Sequence, residues 1–154
     1  MTVEDAKLYA ARLLSARPYS AAALTSKLLG RGFTEDDAAG AVASLVSGGY
    51  LDDQSYARTV AKHYTGRGYG RRRVEAELHR RGIDRETARE AAEELPEPDD
   101  TLDALVSEMF KNGPPDERAL RRFTERLRRR GFDWPDIRDA LSREREGPLW
   151  SDAE

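Results

Sequence analysis

Three glycines, Gly32, Gly82 and Gly131, stand 50 and 49 residues apart, and the residues around them match position by position. Arg31, Arg81 and Arg130 precede them, and Phe33, Ile83 and Phe132 follow. Four positions upstream of each stands a leucine (Leu28, Leu78, Leu127), and eight upstream stand Leu24, Val74 and Phe123. Six positions downstream come Ala38, Ala88 and Ile137. A fixed period of this length is the signature of a repeat architecture, in which each unit buries its apolar face on its neighbours.

The shared pattern has a local physical reading. Apolar residues four apart upstream of each glycine make one face of a helix, and the glycine occupies the position after its end. Thr34, Asp84 and Asp133 then suit the N-cap of a following helix, with the large apolar residue before each stapled onto the residue six after the glycine. A further helix precedes each pair: roughly 3–15 with Leu8, Tyr9, Leu13 and Leu14; one opened by Asp52, with Tyr56, Val60 and Tyr64 on one face; and roughly 100–112 with Leu102, Leu105, Val106, Met109 and Phe110. The run Gly66, Gly68, Gly70 ends the second of these, because glycine gains entropy by staying irregular. The expected fold is all-α: tandem three-helix repeats, three repeats and about nine helices, in an elongated curving array. Repeat 1 covers residues 1–49, repeat 2 covers 50–96, repeat 3 covers 97–146, and 147–154 form a flexible tail. The segment 95–100, rich in proline and acid, is the expected hinge.

Composition narrows the function classes. Hydrophobic residues are 38% and charged residues 36%, against roughly 45–50% and about 25% in globular domains, a balance that suits an array with much surface per residue. There is no cysteine, so disulfide and thiolate chemistry are absent. No apolar stretch has the length of a signal peptide core or a membrane span; a cytoplasmic monomer with no membrane partner is expected. His63 and His79 fall on different helices without metal-ligand spacing, no strand precedes the glycine-rich segment 66–70, and that segment lacks the Lys-Ser/Thr of a nucleotide-binding loop. No cofactor and no enzymatic activity are expected. Asp52 and Asp53 are explained by N-capping rather than acid–base chemistry.

The net charge of −3 conceals a segregation along the chain. Residues 67–81 set Arg67, Arg71, Arg72, Arg73, Arg80 and Arg81 against Glu75 and Glu77, while repeat 1 carries Lys27 and Arg31 at the equivalent helix and repeat 3 carries Arg121, Arg122, Arg128 and Arg129. Residues 84–103, by contrast, are acidic apart from Arg85 and Arg89. Stacked repeats therefore place second helices in a basic row and third helices in an acidic one. Arginine prevails over lysine, which favours bidentate contact with phosphate or carboxylate. A helix-turn-helix reading fails because the later helix, which would enter the major groove, is the acidic one.

The segments Tyr50-Leu-Asp-Asp-Gln-Ser-Tyr-Ala-Arg58, Gly68-Tyr-Gly-Arg-Arg-Arg-Val-Glu-Ala-Glu-Leu78 and Arg81-Gly-Ile83 closely resemble the central signature of the RecX family of recombination regulators. The likeness runs over about residues 3–146 and is strongest over 50–83. Its matched positions are Leu51, Asp52, Asp53, Tyr56, Ala57, Gly68, Tyr69, Gly70, Arg72, Val74, Leu78, Gly82 and Ile83, most of them scaffold positions by the reading above. The resemblance implies a regulatory protein that binds the RecA recombinase filament on DNA and mostly inhibits its ATPase and strand-exchange activity in recombination, DNA repair and the SOS response. It also implies weak binding to single- or double-stranded DNA. The arginines and Lys27 named above are the expected contacts. The alternatives are a stand-alone, non-sequence-specific DNA-binding helical module and a helical scaffold with no DNA role.

Overall fold

A computed structural model of the chain describes the backbone of residues 1–95 and 98–152, and the side chains of these except 98–99 and 146–152. Among the described residues there are nine α-helices and no strand. They are α1 (Val3–Ala16), α2 (Ala21–Arg31), α3 (Glu35–Ser47), α4 (Asp53–Gly66), α5 (Arg71–Arg80), α6 (Arg85–Glu93), α7 (Pro98–Phe110), α8 (Glu117–Arg129) and α9 (Trp134–Asp152). The all-α class and the three-helix periodicity expected from the glycine spacing are both present. Of the expected hinge, 95–100, residues 96–97 lie outside the described set and 98–100 form the start of α7. The expected tail over 147–154 overlaps the last turns of α9 and side chains outside that set.

The three register glycines end their helices in one way. Gly32, Gly82 and Gly131 have φ of +106°, +86° and +99°, a left-handed conformation that costs a residue with a Cβ about 1–2 kcal/mol. Past each glycine the chain folds back: Phe33 N donates to Leu28 O (3.2 Å), Ile83 N to Leu78 O (3.0 Å) and Phe132 N to Leu127 O (3.2 Å). These are the bonds of a Schellman cap, which satisfies carbonyls that a helix end leaves open. Gly49 and Gly68 end α3 and α4 similarly, with Tyr50 N donating to Leu45 O and Tyr69 N to Tyr64 O.

Helix starts are equally local. Thr34 Oγ1 accepts from Asp37 N, and Asp52 Oδ1 accepts from Gln54 N and Ser55 N. Asp84 Oδ1 accepts from Thr87 N at 2.8 Å and its Oδ2 from the Thr87 hydroxyl, and these bonds hold its carboxyl below the usual range. The stapled pairs Phe33 and Ala38, Ile83 and Ala88, and Phe132 and Ile137 are all buried.

The chain divides into two compact units. The first is Met1–Val60 with Glu77–Ala91, and the second is Ala61–Ala76 with Ala92–Glu154. In the first, α1 packs most extensively on α3, with α2 against both. Its core joins Leu24, Leu28, Leu45 and Leu51 to Ala6, Ala10, Ala38 and Ala41. Alanines at helix contacts let backbones approach closely, so a chain poor in large apolar residues still closes a dry core. In the second unit α7 packs on α9, and Leu102, Val106, Phe123, Leu127, Phe132 and Ile137 form the core. Burying each of those large side chains contributes roughly 1.5–3 kcal/mol.

Candidate binding surface

In the second unit, the start of α5 meets the turn between α8 and α9 backbone to backbone. Gly70 N donates to Arg130 O at 2.7 Å. A Cβ on Gly70 would lie 2.6 Å from Gly131 O, and a Cβ on Gly131 would lie 2.3 Å from Arg73 N. Gly70 is thus required by close packing rather than by the irregularity of its loop. Its N–H is already engaged, which withdraws it from the anion cradle that a glycine-rich loop suggests.

This approach brings arginines from separate helices onto one groove of ≈ 960 Å³, with Arg72 and Arg73 from α5 and Arg128 and Arg129 from α8. Arg72 Nη1 donates to Asp133 Oδ1 at 3.1 Å, a pair well exposed on both sides and so worth little to stability. Arg130 turns inward: its guanidinium lies 5.6 Å from the Tyr69 ring centroid and donates to Gly68 O and Arg67 O, both at 3.4 Å. Arg73 lies 5.3 Å from the same ring, and Tyr64 meets Tyr69 edge-on at 5.6 Å. Tyr69 therefore holds two guanidinium groups by cation–π attraction.

The first unit repeats this junction with different atoms. Ser20, at the place of Gly70, is fully buried; its hydroxyl donates to Arg81 O at 2.5 Å and accepts from Ala23 N at 3.1 Å. Ala21 N, also at the start of α2, donates to Asp53 Oδ1 at 2.8 Å. Asp52 and Asp53 are both caps, as expected, but only Asp52 caps its own helix. Arg17 stacks on Tyr19 at 4.5 Å, whereas Tyr69 is met by Arg73 and Arg130, neither of which is the counterpart of Arg17 in the repeat.

The expected contact residues separate into two groups. Arg80 and Arg81 converge on Glu77, whose side chain is 5% exposed: Arg80 Nη2 reaches Oε1 at 2.5 Å and Arg81 Nε the same oxygen at 3.0 Å. Arg81 Nη1 also donates to Tyr56 Oη. A buried carboxylate needs such partners, so both arginines hold Glu77, Arg81 half-buried and Arg80 with its side chain 74% exposed. Arg71 is half-buried, with Nη2 donating to Leu95 O. Lys27, Arg31, Arg67, Arg72, Arg73, Arg121, Arg122, Arg128 and Arg129 are exposed, Arg31 lying 5.1 Å from the Tyr9 ring. Among the described residues, Arg73, Arg128 and Arg129 enter no ion pair. Of the family motif, Leu51, Ala57, Gly70, Val74, Leu78 and Ile83 are buried, Asp53, Tyr56, Gly68 and Tyr69 are half-buried, and Asp52 and Gly82 are exposed. Sequence reasoning missed Trp134, an exposed indole lining the same groove. Its signal is a break in the repeat, since Glu35 and Arg85 hold the equivalent positions. No group of acidic or histidine side chains among the described residues is arranged to hold a metal, and no helix there is long and apolar enough to cross a membrane.

Family models described as the first and the second three-helix domain of RecX match residues 6–45 and 52–91. The chain belongs to the RecX family. It is 38% identical over 135 residues to a protein of Trichlorobacter lovleyi named regulatory protein RecX, covering 83% of this chain and 88% of that one. A namesake in Chromohalobacter salexigens is 34% identical over 134 residues, covering 86% and 88%. The crystal structure of RecX from Lactobacillus salivarius matches with a TM-score of 0.81 over 92% of this chain and 95% of that one, at 16% identity, which shows the shared fold. Family membership places this chain among regulatory proteins. The matched stretches contain Arg72 and Arg73 and end before α8.

Proposed function

We propose that this member of the RecX family regulates recombination by binding the filament that the RecA recombinase forms on DNA, as a cytoplasmic monomer without catalysis of its own, and that it slows the filament's ATP hydrolysis and strand exchange. One observation carries the reading. Arg71, Arg72 and Arg73 fill the first turn of α5, which holds no acidic residue. Helix N-termini are electropositive, so a cation there costs roughly 0.3–1 kcal/mol; α3 opens on Glu35, Asp36 and Asp37 and α8 on Glu117, and α6, which begins with Arg85, follows it at once with Glu86, whereas the first turn of α5 has three arginines and no acid. A local rule broken at an exposed site marks a surface shaped for something other than stability. The summed field of helix end and arginines suits the phosphates of a DNA filament or an acidic face of its protein.

The test is filament-dependent ATP hydrolysis measured with increasing amounts of this protein and of an Arg72→Gln/Arg73→Glu variant. Arg71 is left in place because it bonds Leu95 O, and glutamine at 72 avoids a carboxylate facing Asp133. The wild type is expected to slow hydrolysis and the variant to need about tenfold more protein for the same effect, about 1.4 kcal/mol of lost contact. Replacing a cation by an anion in the first turn should raise stability slightly. Inhibition by a folded variant at wild-type concentrations removes α5 from the contact.

A further inference from the structure

Trp134 is the first residue of α9, directly after Asp133. At the same place α3 begins with Glu35 and α6 with Arg85, so the fold makes no demand for an aromatic ring there. Yet the indole stands 47% exposed. It forms a wall of the ≈ 960 Å³ arginine groove and of a neighbouring ≈ 450 Å³ groove beside α8. The larger groove is at the upper end of the roughly 300–1,000 Å³ that hold small ligands, enough for a short piece of strand.

The chemistry around the ring is one-sided. Arg73, Arg128 and Arg129 face the groove without an ion-pair partner among the described residues, and Arg72 is matched by Asp133. Glu125 is the other carboxylate on the lining. Guanidinium groups beside an exposed aromatic face are what proteins use to track an unpaired strand: cations take the phosphates and the ring takes a base. A duplex offers the same phosphates but covers its base faces by stacking, and the carboxylates of an acidic protein surface present no ring to stack on the indole.

We infer that this groove binds a short stretch of single-stranded nucleic acid, with one base stacked on Trp134 and the flanking phosphates on Arg73, Arg128 and Arg129. The inference rests on the proposed function only in taking these arginines as ligands for nucleic acid, and it requires no recombinase.

The experiment uses the full chain alone, with a labelled oligothymidylate and a labelled duplex of equal length, followed by fluorescence anisotropy at several salt concentrations. Trp134→Ala is expected to weaken oligothymidylate binding about tenfold, within the range for loss of one stacked base, and to leave duplex affinity unchanged. Trp134→Phe should recover most of the loss. In a Trp150→Phe background the oligonucleotide should quench the remaining indole. Arg128→Gln/Arg129→Gln should weaken both ligands and flatten the salt dependence of oligothymidylate binding by roughly 1.4 in logarithmic slope, about 0.7 for each phosphate of a single strand. Equal loss for both ligands on Trp134→Ala, or no loss, overturns the stacking site. Failure of the wild type to bind oligothymidylate, or preference for polyglutamate, overturns the groove as a nucleic-acid site. Neither result bears on inhibition of the filament, which the hydrolysis assay reads separately.

Discussion

Gly113 and Gly131 share a left-handed backbone, φ +106° and +99°, and differ in what surrounds them. A Cβ on Gly113 meets nothing within 4 Å, whereas on Gly131 it meets Arg73 N at 2.3 Å and Arg73 Cβ at 2.6 Å. Gly113→Ala should therefore cost only the conformational term, about 1–2 kcal/mol. Gly131→Ala should cost about 3–4 kcal/mol, because α5 must move away from the α8–α9 turn. Urea unfolding of both variants checks this; equal midpoints would mean that the junction yields freely. At this scale the sequence is legible where a residue's role is local. Gly32, Gly82 and Gly131 were legible as helix stops from their register alone. The part played by Gly70 was not, since only the approach of Gly131 from far along the chain reveals it. Nor was the engagement of Arg80 and Arg81 with Glu77: three charges at the end of one helix read as surface until the burial of Glu77 is known. Trp134 lay hidden for the opposite reason, as one divergent residue in a repeat whose agreements drew the reading.

The helix start most exposed to this limit is that of α2. Its first turn is held by Ser20 from its own segment, through Ala23 N, and by Asp53 from α4, through Ala21 N. Ser20→Ala should cost about 2 kcal/mol, since it removes a cap and strips Arg81 O of its buried hydroxyl donor. Asp53→Ala should cost about 1 kcal/mol. Both losses fray the same turn, so the double variant should fall short of their sum by about 0.5 kcal/mol or more. Strict additivity, measured by thermal or urea unfolding, would show that the two caps act on separate elements. Sequence spacing locates nearly every helix because cap, stripe and glycine stop all sit within a few residues of one another. It cannot say that one helix's carboxylate closes another's end, and it assigns Asp53 to α4 alone. The same limit applies to the groove: its arginines were legible singly on α5 and α8, and their meeting depends on backbone contact between those elements.

For the whole molecule, the division into units does not follow the 50-residue period. α4 passes from the first unit to the second between Val60 and Ala61, and α5 passes from the second to the first between Ala76 and Glu77. Both helices are continuous at those points. Helix propagation is cooperative, and melting on one side exposes a new helix end on the other. The two units are therefore expected to unfold together. Trp134 belongs to the second unit, so in a Trp150→Phe background tryptophan fluorescence reads that unit while far-ultraviolet circular dichroism reads helices in both. The two urea curves should share one midpoint and slope. Ala76 is exposed and interior to α5, which makes it the place to test the cause. Ala76→Gly should lower the single transition by about 1 kcal/mol. Ala76→Pro removes a rung and clashes with the preceding turn at a cost of about 3 kcal/mol, and should separate the two curves. Separate curves with Ala76 in place would show that continuity of α4 and α5 does not make the units cooperative. A single transition surviving Ala76→Pro would place the coupling elsewhere than α5.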